Sequence, residues 1–112
     1  MHGRTYDESR FSPLNDINDS NVQDLGLAWS FETGTNRGHE TTPIVVDGMM
    51  FITAPWSVVF ALDAKTGKEI WSFDPEADKD WARNACCDVV NRGTAVWGDQ
   101  VVFATIDGRL IS

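Results

Sequence analysis

Short runs rich in apolar residues, separated by polar residues, fill the chain from residue 27 onward. Many apolar positions hold β-branched or aromatic side chains, and Gly, Pro and Asp separate the runs, which is typical of consecutive β-strands. The predicted strands cover residues 27–32, 42–47, 49–54, 58–63, 68–73, 94–98, 100–106 and 108–112. The pattern therefore predicts an all-β fold.

Residues 1–26 follow a different pattern, in which Asn, Asp and Ser are scattered without strand alternation. Their sequence predicts a lead-in segment with one short helix, at about Asn21 to Leu25 and capped by Asp19 or Ser20. The predicted domain organisation is thus a lead-in at 1–26 followed by a partial β domain at 27–112.

Two internal repeats indicate the architecture of the β region. Trp29-Ser30-Phe31 recurs as Trp71-Ser72-Phe73, and the run beginning at Val45 recurs at Ala95. Self-similarity at about 40 to 50 residues is typical of propellers and solenoids. Asp47-Gly48, Gly98 and Asp107-Gly108 predict tight turns between paired strands. We expect one to two propeller blades, each a four-stranded antiparallel meander that needs further repeats to bury both faces.

The net charge of −8 comes from 17 acidic and 9 basic residues, and no run of Lys or Arg occurs. Nucleic acid is therefore not an expected partner, because phosphate neutralisation needs clustered positive charge. No apolar run approaches the roughly 20 residues of a spanning helix, and the start has no apolar signal-peptide core. The chain ends within an apolar run, so we expect a fragment whose boundaries are accidental.

Cys86 and Cys87 are adjacent, and the residues alone leave their state open. Neighbouring Cα atoms lie about 3.8 Å apart, which is less than the usual disulfide separation of roughly 4.4 to 6.8 Å. Taken without context, the pair is interpreted as two reduced thiols packed as small apolar side chains, with a strained disulfide as the alternative. Metal binding is disfavoured because no second Cys or His cluster has zinc-ligand spacing.

The segment ALDAKTGKEIWSFD, at residues 61–74, resembles the tryptophan docking motif of quinoprotein dehydrogenase propellers. The residues that carry this resemblance are Ala61, Asp63, Thr66, Gly67 and Trp71. Asp63 and Thr66 can cap a turn, and Gly67 can take a positive φ. Trp71 can pack against a neighbouring blade.

Three further segments resemble the pyrroloquinoline quinone (PQQ)-dependent alcohol dehydrogenases, a family of eight-bladed propellers. They are HGRTYDESRFSPLNDIN from residue 2, RGHETTPIVVDGMMFIT from residue 37 and ACCDVVNRG from residue 85. The chain is therefore identified as similar to an N-terminal part of that propeller, holding its first one to two blades. The remaining blades are expected partners.

The resemblance implies that Glu40, Cys86, Cys87 and Arg92 bind PQQ. In the family, the paired cysteines form an eight-membered disulfide ring over one face of the quinone, and the arginine reaches the cofactor. No catalytic residue and no metal ligand is expected in this chain. The aspartate base and the ligands of a calcium or lanthanide ion are expected beyond Ser112. His39 is assigned no role, and Asp80, Trp81, Asp88 and Asn91 are interpreted as structural or rim residues.

The activity that the resemblance implies is oxidation of primary or secondary alcohols to aldehydes or ketones by hydride transfer to PQQ. Electrons would pass to cytochrome c or a quinone, haem c could occupy a further domain, and the location would be the periplasm. The fragment itself is expected to be inactive. The alternative is a non-enzymatic propeller that acts as a protein-binding scaffold. Cys86, Cys87 and Arg92 favour the enzyme.

Overall fold

The computed structural model describes residues 5–112, and two antiparallel sheets form most of its regular structure. The first sheet is a four-stranded meander of β1 (Ile44–Val46), β2 (Met49–Thr53), β3 (Val59–Asp63) and β4 (Glu69–Phe73). The second is a three-stranded meander of β5 (Ala95–Trp97), β6 (Gln100–Ala104) and β7 (Leu110–Ile111). Short 3-10 helices lie at Val22–Asp24, Pro55–Ser57 and Lys79–Asn84. No helix of residues 5–112 has the length and apolar character needed to cross a bilayer.

Seven of the eight predicted strands are confirmed, each somewhat shorter than its sequence pattern. The strand predicted at 27–32 is wrong, because that segment has no strand assignment. Its side chains Trp29 and Phe31 instead pack on a face of the first sheet, beside Phe60 and Leu62. Within residues 5–112 no second backbone pairs with this segment, and a strand needs such a partner for its hydrogen-bond ladder.

The lead-in segment is exposed over residues 5–20 and contains turns and bends but no helix or strand. The helix predicted at about Asn21 to Leu25 is a single 3-10 turn at Val22–Asp24, and Asn21 precedes it in place of the predicted caps Asp19 and Ser20. The stretch from His2 to Arg4, where the first resembling segment begins, lies outside the described residues. The domain boundary between residues 26 and 27 stays a prediction.

The turns predicted between paired strands are confirmed. Asp47 and Gly48 both take positive φ, at 49° and 79°, between the paired residues Val46 and Met49. This combination matches the twist of the flanking strands in a two-residue hairpin. Gly98 and Gly108 also have positive φ, at 57° and 86°. The turn chemistry thus sets the register of the meanders locally.

The first sheet is covered on both faces. On one face, Trp29 and Phe31 pack against Phe60 and Leu62, and the Phe31 and Phe60 rings meet edge to face at 5.1 Å. On the other face, Phe73 of β4 meets Phe103 of β6 at a ring-centroid distance of 6.1 Å. Because side chains alternate along a strand, one strand supplies both layers. The two sheets therefore pack as successive layers, and Trp71 lines the groove between them.

The turn from β3 to β4 is built as the docking motif predicts. The Asp63 carboxylate accepts hydrogen bonds from the Lys65 amide (3.0 Å), the Thr66 amide (2.7 Å) and the Thr66 hydroxyl (2.8 Å). Gly67 has φ of 72° and is buried beneath the Trp29 ring. The Trp29 indole also donates to the carbonyl of Ala64 at 3.2 Å. The tryptophan that docks on this motif is thus Trp29, from the preceding repeat.

Asp63 should make unfolding depend on pH at the acid end. The hydrogen bond from the Thr66 hydroxyl, followed by that from the Thr66 amide, lowers the pKa of Asp63 below its ordinary value. A lowered folded-state pKa stabilises the fold above the unfolded pKa of about 3.9, and this stabilisation is lost as pH falls through the folded-state value. We expect Asp63→Asn to flatten the acid limb of stability against pH, measured by urea unfolding of the complete protein from neutral pH downward. Asp99→Asn, at a turn carboxylate with no hydrogen bond in the described structure, is the control and should leave that limb unchanged. An acid limb of wild-type slope in Asp63→Asn would contradict the assignment.

The segment between the sheets is fastened to the β6–β7 hairpin. The Asp107 carboxylate accepts from the Asp78 amide at 3.1 Å, and the Arg109 guanidinium donates to the Pro75 carbonyl at 2.9 Å. The Arg109 guanidinium, and then the Thr105 hydroxyl, hold the pKa of Asp107 well below its usual range. These contacts fix where the chain leaves β4 and approaches the segment that carries the cysteines.

Candidate cofactor site at the disulfide loop

Two loops lie side by side at the start of the two sheets. The first, residues 33–43, leads into β1, and the second, residues 85–94, leads into β5. The amide of Thr42 donates to the carbonyl of Arg92 at 3.0 Å. An added Cβ on Gly93 would lie 3.0 Å from the Thr42 carbonyl oxygen, so the close approach requires glycine there. Equivalent positions of two repeats thus form one surface.

Glu40 and Arg92 form an ion pair across these loops. Nε of Arg92 donates to Oε2 of Glu40 at 3.1 Å, although the residues are 52 positions apart. Their side chains remain 76% (Arg92) and 44% (Glu40) exposed. Within residues 5–112 the two terminal nitrogens of Arg92 donate no hydrogen bond. The guanidinium therefore keeps donors available for an oxygen-rich ligand.

Cys86 and Cys87 are joined by a disulfide on the second loop. The residue-based interpretation of two reduced thiols is therefore wrong, and the disulfide implied by the family resemblance is confirmed. The Cα atoms are 3.8 Å apart, which is the separation of neighbours across a trans peptide. Both residues are exposed. The pair presents a sulfur surface instead of adding to the core.

The disulfide loop is held from below by the turn between β2 and β3. Val89 is only 2% exposed, and its carbonyl accepts a hydrogen bond from the Trp56 amide at 3.0 Å. Trp56 and Ser57 both take positive φ, at 64° and 63°. A left-handed conformation is unfavourable for residues with a Cβ and persists where surrounding contacts enforce it. The turn is thus shaped to meet the disulfide loop.

A second ion pair links the same two loops. Arg37 and Asp88, which directly follows Cys87, form a charge-assisted hydrogen bond. The Arg37 guanidinium also lies 5.7 Å from the centroid of the Trp56 ring, and the Lys79 ammonium lies 5.9 Å from it. Such cation–π contacts stabilise by about 0.5–1 kcal/mol at exposed sites. Asp88 therefore has a definite partner across the two loops.

The structure places all four predicted site residues on the two adjoining loops, with Glu40 bonded to Arg92 and Cys86 bonded to Cys87. His39 forms a hydrogen bond with the Thr33 hydroxyl at 2.8 Å. The sequence analysis missed the role of Asn91 in holding the second loop. Its Oδ1 accepts from the amide of Gly93, two residues on, at 3.0 Å. The Asn-x-Gly spacing was a usable signal, because Asn often hydrogen-bonds its own backbone in this way.

Within residues 5–112, no three His, Cys, Asp or Glu side chains are arranged to hold a metal ion. The geometry defines a β-propeller segment with a vicinal disulfide beside an exposed arginine–glutamate pair.

Over residues 1–112 the chain matches the family model described as the glucose, ethanol and alcohol dehydrogenase β-propeller domain, PQQ. It belongs to this family.

Individual relatives agree with the family match. Quinohemoprotein alcohol dehydrogenase ADH-IIG of Pseudomonas putida is 58% identical over 108 residues, which is 96% of this chain and 15% of that protein. Its solved structure superposes with a TM-score of 0.93, covering 97% of this chain and 16% of that one. The 1-butanol dehydrogenase (cytochrome c) of Thauera butanivorans is 51% identical over 111 residues, or 99% of this chain and 16% of that protein.

A europium-containing methanol dehydrogenase has a similar fold, with a TM-score of 0.88 at 41% identity over 98% of this chain and 20% of that one. The chain spans at most a fifth of the length of these relatives. The described sheets therefore correspond to a small part of their propellers.

Proposed function

We propose that this chain is part of a PQQ-dependent alcohol dehydrogenase that oxidises primary or secondary alcohols to aldehydes or ketones. The observation that carries the proposal is the exposed Cys86–Cys87 disulfide on the same loop as Arg92, which is paired with Glu40. The names of the relatives, all alcohol dehydrogenases, favour this function over a protein-binding scaffold.

The donor set fits the cofactor. PQQ is a flat quinone with three carboxylates, so it needs an uncharged planar wall and positively charged donors of fixed geometry. The disulfide has no charge and no strong donor, and is suited to cover a ring face. Arg92 offers its terminal nitrogens to quinone or carboxylate oxygens. Glu40 accepts a hydrogen bond from Nε of Arg92, which leaves the two terminal nitrogens of the guanidinium for the ligand.

We assign three tasks to the four residues. Cys86 and Cys87 exclude water from one ring face, and Arg92 stabilises negative charge that develops on the quinone oxygens. Glu40 balances the Arg92 charge when no anion is near. When bound, PQQ supplies the acceptor for the hydride of the alcohol. No residue of this chain is assigned as catalytic base or metal ligand.

The remaining parts of the proposal concern the whole protein. We assign the base, and the ligands of calcium or a lanthanide, to other blades of an eight-bladed propeller, and we take residues 1–26 as a lead-in to the first blade. Cytochrome c or a quinone would accept the electrons, and a haem c domain could be attached. These assignments rest on the relatives, three of which carry haem, cytochrome c or a lanthanide in their names. A disulfide is stable in the periplasm, which supports that location.

Reconstitution of the complete protein tests the proposed function. The apoprotein is titrated with PQQ in the presence of Ca²⁺, and in parallel of a lanthanide, and alcohol-dependent reduction of an artificial dye is recorded. We expect saturable PQQ binding with either ion, and alcohol oxidation only after PQQ is added. A nicotinamide cofactor in place of PQQ is the control and should give no activity. Absence of PQQ binding under both conditions would contradict the proposal.

A further inference from the structure

We infer that Asn91 is a positioning residue, which fixes the backbone on both sides of Arg92 and so sets the direction of its guanidinium towards the cofactor. This inference rests on the proposed function, in which Arg92 contacts PQQ. Asn91 contributes no group to the ligand itself. Its effect passes through Arg92.

The Asn91 side chain joins three separate parts of the fold. Its Nδ2 donates to the Ser57 hydroxyl at 3.1 Å and to the Ala104 carbonyl at 2.8 Å, while its Oδ1 accepts from the Gly93 amide at 3.0 Å. Ser57 lies in the turn before β3 and is only 2% exposed, and Ala104 is the last residue of β6. One amide group therefore ties the second loop to both sheets.

Hydrogen bonds also hold the backbone on both sides of Arg92. The carbonyl of Asn91 accepts from the hydroxyl of Thr53, which is fully buried, at 3.1 Å. The Thr53 amide in turn donates to the Thr41 hydroxyl at 2.9 Å, on the first loop. Together with the hydrogen bond from the Thr42 amide to the Arg92 carbonyl, these contacts fix the peptide groups before and after the Arg92 Cα.

The Arg92 side chain has no comparable anchor of its own. It is 76% exposed, and Glu40 is its hydrogen-bond partner among the described residues. An exposed ion pair of two long side chains contributes little to order, because solvent screening and side-chain entropy oppose it. The direction in which the guanidinium leaves the loop is therefore set by the backbone, and the Asn91 side chain holds that backbone together with the Thr53 and Thr42 contacts.

The chemistry specifies an amide at position 91. Asn supplies two donors and one acceptor, and the three contacts use all of these roles. Asp would keep the acceptor for Gly93 but lose both donors, and it would add negative charge next to a site for a triply acidic ligand. Ser is smaller and cannot reach three partners at once.

A double-mutant cycle on the complete protein tests the inference, with PQQ affinity measured by fluorescence titration of the apoprotein. We expect Asn91→Ser to weaken PQQ binding about tenfold, a loss comparable to one misplaced charge-assisted hydrogen bond. Asn84→Ser is the matched control, since the Asn84 side chain is exposed and makes no hydrogen bond in the described structure. It should leave the affinity unchanged.

The cycle separates positioning from stability. If Asn91 acts through Arg92, Asn91→Ser should weaken binding little further in an Arg92→Gln background. Full additivity of the two effects, or unchanged affinity in Asn91→Ser, would overturn the inference. Unchanged affinity in Arg92→Gln would instead contradict the proposed function, so the two failures are distinguishable.

A milder variant keeps the test usable if Asn91→Ser does not fold. Ser57→Ala removes one acceptor of the Asn91 amide and leaves the other two contacts in place. We expect it to weaken PQQ binding by about two- to threefold, again without a further effect in the Arg92→Gln background. No change of affinity in Ser57→Ala would count against the inference.

Discussion

Arg92→Gln is expected to lower kcat/KM for alcohol oxidation by the complete enzyme about 100-fold. Loss of one preorganised donor to developing negative charge in a water-excluded site typically costs a factor of this order. The change also leaves Glu40 without its ion-pair partner. An unbalanced carboxylate beside a triply acidic cofactor adds repulsion. We therefore expect both PQQ affinity and turnover to fall, measured by cofactor titration and steady-state kinetics.

Two further variants calibrate that result. Arg92→Lys keeps the positive charge but loses the planar fork, so its kinetics should lie between those of the wild type and Arg92→Gln. Arg83→Gln is the matched control, because Arg83 is an exposed arginine of the Lys79–Asn84 helix with no ion pair in the described structure. Wild-type kinetics in Arg92→Gln, or an equal loss in Arg83→Gln, would exclude the assigned role.

Gly67→Ala is expected to lower the free energy of unfolding by about 2–5 kcal/mol. Gly67 has φ of 72°, and a residue with a Cβ in that conformation costs about 1–2 kcal/mol. The added Cβ would also lie 2.9 Å from Cγ of Trp29 and closer still to two other ring atoms. Forcing extra atoms into a packed contact typically costs about 1–3 kcal/mol. Urea unfolding of the complete protein measures the sum.

Gly34→Ala separates the two contributions. Gly34 has a similar φ of 75°, but nothing lies within 4 Å of the position its Cβ would take. It should show the conformational cost alone. In a Trp29→Ala background, the difference between the two glycine variants should largely disappear, because the ring has been removed. Equal destabilisation by Gly67→Ala and Gly34→Ala in the wild-type background would show that Trp29 does not dock on Gly67.

The predicted strand at 27–32 shows why a sequence pattern alone does not establish a strand. Leu27 to Glu32 alternates as a strand does, yet a strand exists only when a second backbone pairs with it. Trp29 and Phe31 pack on the face of the first sheet, and no backbone within residues 5–112 pairs with their segment. The seven confirmed strands differ because short turns place their partners next to them in the chain, so local sequence is enough to pair them.

The candidate site likewise contains residues that the sequence indicated and residues that only the structure revealed. The family resemblance pointed to Glu40, Cys86, Cys87 and Arg92, and the structure shows the disulfide and the Glu40–Arg92 pair. Arg37 was not singled out, and Asn91 was interpreted only as structural or rim. Their partners lie far away in sequence, at Asp88 and at Ser57 and Ala104. No spacing rule connects such residues.

The sequence by itself determined the meander strands, the Asp-Gly turns and the Asp63–Thr66 cap, because each depends on residues within a few positions of one another. The sequence also indicated the family, through its two repeats and its unusual pair of adjacent cysteines. Only the tertiary structure decided that Trp29 docks on Gly67, that Glu40 meets Arg92 and that Asn91 joins both sheets. Those contacts depend on how the twisted sheets stack. Stacking brings together side chains that are far apart in sequence, and the residues next to each of them do not indicate the contact.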